Sequence, residues 1–478
     1  MSVRKILLTT VAGLFLGGGA LAYTYGFERN ELSESFCPDL ANQQVYEQKK
    51  MEHYSILIPG KDGWVFRTEN DFRKDWEIND KTLNYLLTLQ NAFRMHNAEL
   101  VMLMPPVRGL AHYDKLFRKD KKKYGLKNAS EAWDKYEAGI TDLQNKGIRI
   151  IGLGRNEVTP DFFYKRDHHW TASGANVAAT KIAEFIKSIP LYSQIEKIDY
   201  ATTEETPIEY ESTFEKAFKK ICNTNLPKET VPQYITASAN PVQSSDDLFG
   251  ENQGSEPQIV LLGTSNSVNA SSQANFEGFL KDYLSTDIMN LSYIGAGIDT
   301  GIMTYVNSDH FRNGKPKVVI WEVPGYYDLN VMDDKLFNQV IPAAIGACSA
   351  PVYEKSLASL PGGSTTLFED EAKSSLQPAS FPAPEQVAIG QDMYMRLTFS
   401  KPVRDKFKVD FLYENSGTKS QNFERSERAA ADGEFYTLFP VNDSKIKKIS
   451  VIMPKDARPV DLSVQICRLP QQDKPLSD

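Results

Sequence analysis

The sequence predicts two folded units in series: an α/β unit whose parallel sheet carries helices on both faces, followed by an antiparallel β-sandwich. The 478 residues are more than one ordinary domain needs. From residue 54 to about residue 330, short apolar runs alternate with helical patterns, which is typical of a covered parallel sheet. After residue 340, short runs with period-two alternation follow one another between turn residues, which is typical of a sandwich.

The composition is that of a folded protein. Hydrophobic residues make up 41% and charged residues 24%, so wholesale disorder is excluded. The formal net charge is −8, whereas a general nucleic-acid binder is normally basic. We therefore expect no nucleic-acid partner. The aromatic content of 11% fits β-structure and sugar-facing surfaces, although core packing explains it equally well.

The first 22 residues have the layout of a secretory signal peptide. Arg4 and Lys5 precede an apolar run from Ile6 to Leu16, and Ala20-Leu21-Ala22 offers a small-residue cleavage site. We expect cleavage near Ala22 by the Sec route. The alternative is an uncleaved anchor helix, but the apolar run is short for a bilayer span.

An even number of cysteines in an exported chain favours disulfides. Three pairings of the four cysteines are possible. The first two flank one long half of the chain and the last two flank the other, so we pair Cys37 with Cys222 and Cys348 with Cys467. The spacings contain no CxxC and do not suggest a zinc site.

The α/β unit is expected over residues 23–340. A turn at Gly60–Phe66 lies between strand-like residues, and Thr171 is the predicted N-cap of a helix. The predicted helices cover residues 80–97, 129–146, 171–188 and 273–285, and the predicted strands cover residues 100–104, 148–153, 258–262, 287–291 and 317–323.

Residues 201–256 interrupt this order. They are rich in Thr, Glu, Asn, Gln and Ser and show few periodic signals. We predict an irregular insertion over the surface. The alternative is a lid or rim beside the functional site, because a long irregular stretch in a compact enzyme can be functional.

The second unit is expected over residues 341–478. Residues 350–388 are rich in Pro, Ser, Gly and Ala. Predicted strands follow at residues 393–399, 407–413, 449–453 and 462–466. Their alternating apolar residues predict two packed antiparallel sheets.

Ser265 is the candidate nucleophile. It follows the predicted strand 258–262, on the short loop Gly263–Ser267. Ligands bind at the carboxyl ends of strands in an α/β sheet, and a serine on a tight turn there has an exposed hydroxyl near free backbone N–H groups. The loop is not a G-x-S-x-G elbow, because residue 267 is Ser rather than Gly.

Asp167 and His169 are the candidate orienting acid and base. In extended backbone, residues i and i+2 share a face, so these two side chains point the same way while His168 points away. A carboxylate beside an imidazole fixes its tautomer, as a general base for Ser265 requires. A metal site is the competing interpretation, but adjacent histidines cannot easily both ligate one ion and no third His is nearby. We expect no metal and no cofactor.

The order of three motifs gives the chain a specific resemblance. The segment Asp167–Trp170, the loop Gly263–Ser267 and the turn Gly60–Phe66 resemble those of the polysaccharide O-acetyltransferases of the AlgX/AlgJ type, over residues 50–330. The resemblance implies an SGNH-hydrolase-like α/β domain. The β-domain and the four-cysteine layout are similar to the longer members of this family, in which the β-domain is a carbohydrate-binding module. One departure is Asn266, where an aromatic residue is expected.

The resemblance also implies a function, that of a periplasmic O-acetyltransferase acting on an exopolysaccharide, with alginate (polymannuronate) as the expected polymer. Ser265 would hold the acetyl group, His169 would act as the base and Asp167 would orient it. The implied partners are periplasmic and outer-membrane alginate export proteins and an upstream membrane-bound acyltransferase that supplies acetyl. We expect the Ser265 N–H to stabilise the oxyanion. The segment Gly295–Gly297 could place a second N–H near the same oxyanion, or it could be only a turn.

The candidate polymer contacts are aromatic and basic. The tyrosines could stack on a sugar or pack in the core, and the cations could bind uronate carboxylates or be merely solvated. An acidic protein that binds an anionic polymer needs a local cationic groove. These residues are Tyr326, Tyr327, Tyr394, Arg396, Lys406 and Lys408.

Two other functions remain open at this stage. A polysaccharide deacetylase would use the same three residues, since water and a sugar hydroxyl are equivalent nucleophiles toward an acyl-enzyme. A non-catalytic polymer-binding protein would not need Ser265. A glycosidase or lyase is disfavoured because no convincing carboxylate pair is found.

Overall fold

The computed structural model describes residues 36–52, 54–239, 256–332, 336–370 and 392–470. The predicted signal peptide lies outside these residues. Across the described ranges, no helix combines the length and apolar character needed to cross a membrane.

The helices and strands are as follows. The strands are β1 (Leu57–Pro59), β2 (Val65–Arg67), β3 (Glu99–Met104), β4 (Ile150–Gly152), β5 (Tyr200–Tyr210), β6 (Glu229–Ser238), β7 (Ile259–Leu262), β8 (Ile288–Asn290), β9 (Val318–Glu322), β10 (Tyr353–Leu360), β11 (Gly363–Glu369), β12 (Met393–Val403), β13 (Phe407–Tyr413), β14 (Thr418–Phe423), β15 (Asp432–Leu438), β16 (Ile446–Met453) and β17 (Val460–Arg468). The α-helices are α1 (Gln43–Gln48), α2 (Asp80–Met95), α3 (Arg108–Ala111), α4 (Arg118–Lys123), α5 (Ala129–Asn145), α6 (Ala172–Ser188), α7 (Glu215–Ala217), α8 (Asn269–Ser272), α9 (Phe276–Leu284), α10 (Asp299–Val306), α11 (Asp309–Arg312) and α12 (Asn338–Ile345).

A five-stranded parallel sheet forms the centre of the first unit, as predicted. Its strand order is β4-β3-β9-β7-β8. Every residue of β7 and β9 is buried, because helices cover both faces. The carboxyl ends of β7 and β9 lie side by side, so the loops that follow them meet at one edge of the sheet.

Each long helix begins directly after a residue whose side chain caps its first turn. The helices predicted over 80–97, 129–146 and 171–188 are α2, α5 and α6, with ends that differ by at most two residues. Thr171 accepts a hydrogen bond from the N–H of Gly174, which confirms the predicted N-cap.

The predicted irregular insertion is wrong for much of its length. Strands β5 and β6 form a two-stranded antiparallel sheet, paired from Tyr200 opposite Ser238 to Tyr210 opposite Glu229. The side chains of both strands are exposed or half-buried apart from Tyr210 and Val231, so no apolar alternation marks them in the sequence. Residues 240–255 of the predicted insertion lie outside the described residues.

The second unit is a sandwich of two four-stranded antiparallel sheets. Their strand orders are β10-β17-β12-β15 and β11-β16-β13-β14. Alternate residues of both sheets, such as Leu397, Val409 and Val464, meet in one apolar core. The four predicted strands correspond to β12, β13, β16 and β17, whereas β10 and β11 lie in the stretch noted for Pro, Ser, Gly and Ala.

The two units share a packed junction. Residue 340 lies inside α12, so the first unit ends after that helix rather than at the predicted boundary. Tyr394 and Tyr436 of the sandwich belong to the apolar core of the α/β unit. The structure contains both expected disulfides. Cys348–Cys467 joins the end of α12 to β17, and Cys37–Cys222 joins the N-terminal segment to the turn after α7.

Candidate active site

Ser265 stands on the short loop that follows β7. It is half-buried, while the flanking residues Gly263, Thr264, Asn266 and Ser267 are buried. Thr264 begins a single 3-10 turn, and its hydroxyl accepts a hydrogen bond from the N–H of Asn266 at 3.3 Å. The loop therefore presents one hydroxyl outward at the carboxyl edge of the sheet.

Asp167 and His169 come from the connection that leads into α6. Phe163 and Trp170 pair across this connection as an isolated antiparallel bridge, which brings residues 164–169 back on themselves. The side chains of Asp167 and His169 are fully buried. The Nδ1 of His169 lies 2.6 Å from the Oδ1 of Asp167, and its Nε2 lies 2.8 Å from the Oγ of Ser265.

These distances define the direction of proton sharing. A carboxylate only accepts hydrogen bonds, so the Nδ1 of His169 carries the ring proton and donates it to Asp167. The unprotonated Nε2 is then left to accept a hydrogen bond from the Ser265 hydroxyl. The structure thus brings together the three residues expected as a triad, in an arrangement that can activate the Ser265 oxygen.

Asp167 remains ionised despite its burial. Burial alone raises the pKa of this carboxyl, but the charges of His169 and His168 and its hydrogen bonds outweigh that effect. The pKa of Asp167 therefore lies well below its usual range. A permanent negative charge at this position stabilises the imidazolium that forms when His169 takes a proton.

The β5–β6 hairpin holds Asp167 from behind, a role that the sequence analysis missed. The N–H of Thr213, three residues after β5, donates to Asp167 Oδ2 at 2.5 Å, and its hydroxyl lies 3.0 Å from His168 Nδ1. Tyr210 stacks on Tyr164 with ring centroids 4.2 Å apart. The hairpin therefore closes the buried side of the Asp167–His169 pair.

Arg108 fixes the chain that leads into Asp167. Its guanidinium is buried, forms an ion pair with Asp71 at 2.7 Å, and donates to the carbonyl oxygens of Tyr164 and Lys165. A buried guanidinium must have such partners, because desolvating it without them is costly. This ion pair thus acts as an internal support for the turn that carries Asp167.

Glu322 is a second residue that the sequence analysis did not assign. It ends β9 directly beneath the Ser265 loop and is completely buried. Its carboxylate accepts hydrogen bonds from the backbone N–H and the hydroxyl of Thr264, at 2.7 and 2.9 Å. An acidic residue inside an otherwise apolar strand run was the signal that could have found it.

Asp167, His168 and His169 also form a cluster that resembles a metal site. The ligand atoms of Asp167, His168 and His169 lie within 4.8 Å of one another. However, both Asp167 oxygens and the Nδ1 atoms of both histidines already have protein partners. The donor set fits a hydrogen-bonded relay better than it fits an ion.

Two of the expected sugar contacts lie close to this edge of the sheet. Tyr326 and Tyr327 follow β9, are half-buried, and have ring centroids 4.7 Å apart. The guanidinium of Arg67 lies 4.9 Å from the Tyr326 ring centroid. A ring pair held in this way can present a face to a ligand.

The expected sugar contact of Tyr394 is wrong. Its side chain is buried at the junction of the two units, and its hydroxyl donates to the carbonyl of Gly346 at 2.8 Å. Tyr394 and Arg396 share one face of β12, and that face packs against the α/β unit. A buried ring of this kind cannot meet a polymer.

The three sandwich cations are each paired with an acid. Arg396 forms an ion pair with Glu434, which also binds Arg312 across the junction. In addition, Lys406 pairs with Glu424 and Lys408 pairs with Asp410. Arg396 is mostly covered, whereas the Lys406 side chain is 74% exposed.

Comparison with known proteins gives consistent findings. Residues 57–325 match the family model described as an SGNH hydrolase-like domain, acetyltransferase AlgX. The chain is 30% identical over 348 residues to the alginate biosynthesis protein AlgX of Azotobacter vinelandii, covering 72% of this chain and 68% of that protein. It is 29% identical over 480 residues to AlgX of Pseudomonas aeruginosa, covering 97% and 95%.

A shorter relative and a solved structure add to this. The chain is 27% identical over 293 residues to the probable alginate O-acetylase AlgJ of Pseudomonas syringae pv. tomato, covering 58% of this chain and 72% of that protein. The structure of Pseudomonas aeruginosa AlgX matches with a TM-score of 0.74 at 23% identity, covering 91% of this chain and 100% of that one. This match supports the fold described above.

Proposed function

The chain belongs to the family of SGNH hydrolase-like acetyltransferase domains that includes AlgX, and from that premise we propose that it is an O-acetyltransferase acting on alginate during its biosynthesis. The observation that carries the proposal is the hydrogen-bonded chain from Ser265 through His169 to Asp167. The printed names of the relatives, alginate biosynthesis protein and probable alginate O-acetylase, support the choice of polymer.

In the first half-reaction, Ser265 Oγ attacks the carbonyl carbon of an acetyl donor. His169 Nε2 takes the hydroxyl proton, and Asp167 stabilises the resulting imidazolium. The tetrahedral oxyanion collapses, the bond to the donor's leaving group breaks, and His169 returns the proton to that group. The product is an acetyl ester on Ser265.

In the second half-reaction, a sugar hydroxyl replaces the donor. His169 removes its proton, the sugar oxygen attacks the Ser265 ester, and the Ser265 oxygen leaves and regains the proton. Water could enter at the same point, so a deacetylase would use identical groups. Transfer requires that the polymer fill the acceptor site and exclude water.

The acceptor site is proposed to include Tyr326 and Tyr327, which lie at the same edge of the sheet as Ser265. Lys406 and Lys408 remain candidates for uronate carboxylates, although such a carboxylate must compete with Glu424 and Asp410. Arg396 is a weaker candidate for binding a uronate carboxylate, because its guanidinium already forms an ion pair with Glu434 and is mostly covered. The sandwich is proposed to be a carbohydrate-binding module.

The cellular setting is part of the proposal. Two disulfides suit an oxidising compartment, which supports export to the periplasm after removal of residues 1–22. The proposed partners are periplasmic and outer-membrane alginate export proteins, with a membrane-bound acyltransferase as the source of acetyl.

The test uses the purified mature protein, an activated acetyl ester and mannuronate oligomers, which are then weighed by mass spectrometry. We expect acetylated oligomers with the parent protein and none with Ser265→Ala. Release of acetate with unmodified oligomers would instead indicate an esterase. Equal acetylation by the parent and the variant would refute the role of Ser265.

A further inference from the structure

Glu322 forms hydrogen bonds with three residues around the candidate nucleophile, Thr264, Asn266 and Ser267. Its Oε2 accepts from Thr264 N and Thr264 Oγ1 and lies 3.4 Å from the Ser267 hydroxyl, while its Oε1 accepts from Asn266 Nδ2 at 3.1 Å. All four partners are donors. One buried carboxylate on β9 thus ties down the loop that follows β7.

Both oxygens of Glu322 act as acceptors. The Thr264 N–H and the Asn266 amide N–H₂ can only donate, and each donates to a different oxygen of the carboxyl, while the hydroxyls of Thr264 and Ser267 lie within hydrogen-bonding distance of Oε2. Burial raises the pKa of Glu322, and the four hydrogen bonds oppose that rise. The two carboxyl oxygens of Glu322 therefore supply the hydrogen-bond acceptors that the buried donors of the loop need.

The same loop is held from the opposite side. The indole N–H of Trp170, next to His169, donates to the carbonyl of Asn266 at 2.9 Å. The residues on either side of Ser265 are thus both held: Thr264 is bonded to Glu322, and Asn266 is bonded to Glu322 and Trp170. A shift of the loop would change the 2.8 Å distance from Ser265 Oγ to His169 Nε2.

Three N–H groups around Ser265 already have acceptors. Those of Thr264, Asn266 and Ser267 donate to Glu322, to the Thr264 hydroxyl and to the Thr264 carbonyl. Among the residues that the structure describes, no hydrogen bond from the N–H of Ser265 is found, which leaves this donor for an oxyanion. Such a preorganised donor is effective only if the loop does not move.

We propose that Glu322 is the positioning residue of the nucleophile: its carboxylate locks Thr264, Asn266 and Ser267 so that Ser265 meets His169 and keeps its N–H free. This inference rests on the proposed function, since it assigns Glu322 a role in acylation of Ser265. Glu322 lies beneath the loop and does not contact substrate.

The test compares two substitutions with a matched control. Glu322→Met keeps the volume and removes all acceptors, whereas Glu322→Gln keeps one oxygen for Thr264. Glu99→Met is the control, because Glu99 is another mostly covered strand acid, paired with Arg94 and Arg149 at the opposite, amino end of the sheet. Each variant is assayed with an activated acetyl ester, well below its own unfolding temperature.

We expect the rate constant for acylation of Ser265, measured in the pre-steady-state burst, to fall about 100-fold in Glu322→Met, because small misplacements of reacting groups cost that much. The dissociation constant of the ester should stay unchanged, and Glu322→Gln should recover part of the loss. Glu99→Met should lower the unfolding temperature without changing the acylation rate constant. If Glu322→Met does not fold, the test is whether Glu322→Gln acylates more slowly than Glu99→Met.

The outcomes separate this inference from the function on which it rests. If the parent protein and Ser265→Ala turn over the ester equally, the proposed function fails. If turnover depends on Ser265 but the folded Glu322 variants match the parent or the Glu99 control in the acylation rate constant, only the role of Glu322 is refuted. A weakened dissociation constant for the ester with an unchanged acylation rate constant would also refute it, because that indicates substrate contact.

Discussion

At the scale of single residues, the site depends on two segments that are almost a hundred positions apart. Asp167 and His169 could be predicted to share a face because extended backbone alternates, and Ser265 because it follows a buried strand. The sequence marks Glu322 as an acid in an apolar strand, but it does not give the role of that acid. Its carboxylate matters only because β9 lies beside β7, and that neighbourhood is a property of the sheet.

Replacing Asp167 by Asn tests the orienting role. The amide can turn its N–H₂ group toward His169, which reverses the ring tautomer, or toward the N–H of Thr213, which removes the hydrogen bond that holds residue 167 in place. Either orientation disturbs the position or the tautomer of His169. We expect kcat to fall by about 10² to 10⁴-fold. Steady-state turnover of an acetyl ester measures this. A loss below about tenfold in a folded variant would contradict the tautomer argument.

At the scale of elements, the elements that were predicted are those with a clear apolar signal. The long helices carry an apolar periodicity and the central strands are short continuous apolar runs, so their positions followed from the sequence. The β5–β6 hairpin did not, because Tyr210 and Val231 are the buried residues of its two strands. The apolar pattern therefore conceals the element that supplies Thr213 and Tyr210 to the site.

The two disulfides should differ in their effect on turnover. Cys37–Cys222 anchors the segment that follows Thr213, so its removal should loosen the support of Asp167. We expect the Cys37→Ser/Cys222→Ser variant to lose about 2 to 5 kcal/mol of stability and also to lose kcat. Chemical unfolding and ester turnover measure the two effects.

The second disulfide provides the control for that experiment. Cys348–Cys467 joins α12 to the sandwich, away from the triad. Its double serine variant should lose stability of the same order while retaining kcat for a small acetyl ester. Equal losses of kcat in both variants would show that the first disulfide has no special link to the site.

At the scale of the whole molecule, the packing of the sandwich against the α/β unit was the feature that could not be predicted from sequence patterns. Alternation places Tyr394 and Arg396 on one face of β12, but it does not say whether a polymer or another domain covers that face. In this protein α12 packs against the neighbouring strand β15, and the Tyr394 hydroxyl donates to Gly346 directly after α12. The expected binding role of Tyr394 failed for this reason.

The pH dependence of global stability should carry the signature of His112. Burial, together with the charges of Arg108 and Lys115, lowers its pKa to about 3, and its Nε2 accepts the N–H of Phe163. In the unfolded chain His112 binds a proton near its ordinary pKa of about 6.5. The free energy of unfolding therefore decreases as the pH falls from about 6.5 toward 3. His112→Gln removes this titration.

Thermal unfolding of the parent and His112→Gln between pH 7 and pH 4 checks this expectation. The unfolding temperature of the variant should decline less steeply over that interval, whatever its value at pH 7. Parallel curves would show that His112 does not contribute to acid destabilisation.

The most direct measurement of the central claim is to trap the acetyl-enzyme. The mature protein is mixed with an activated acetyl ester, quenched in acid, digested and mapped by mass spectrometry, with and without mannuronate oligomers. We predict one acetyl group on the peptide that contains Ser265, its absence in Ser265→Ala, and its rapid discharge to the oligomers. A protein that forms acetylated oligomers without ever carrying acetyl on Ser265 would contradict the account.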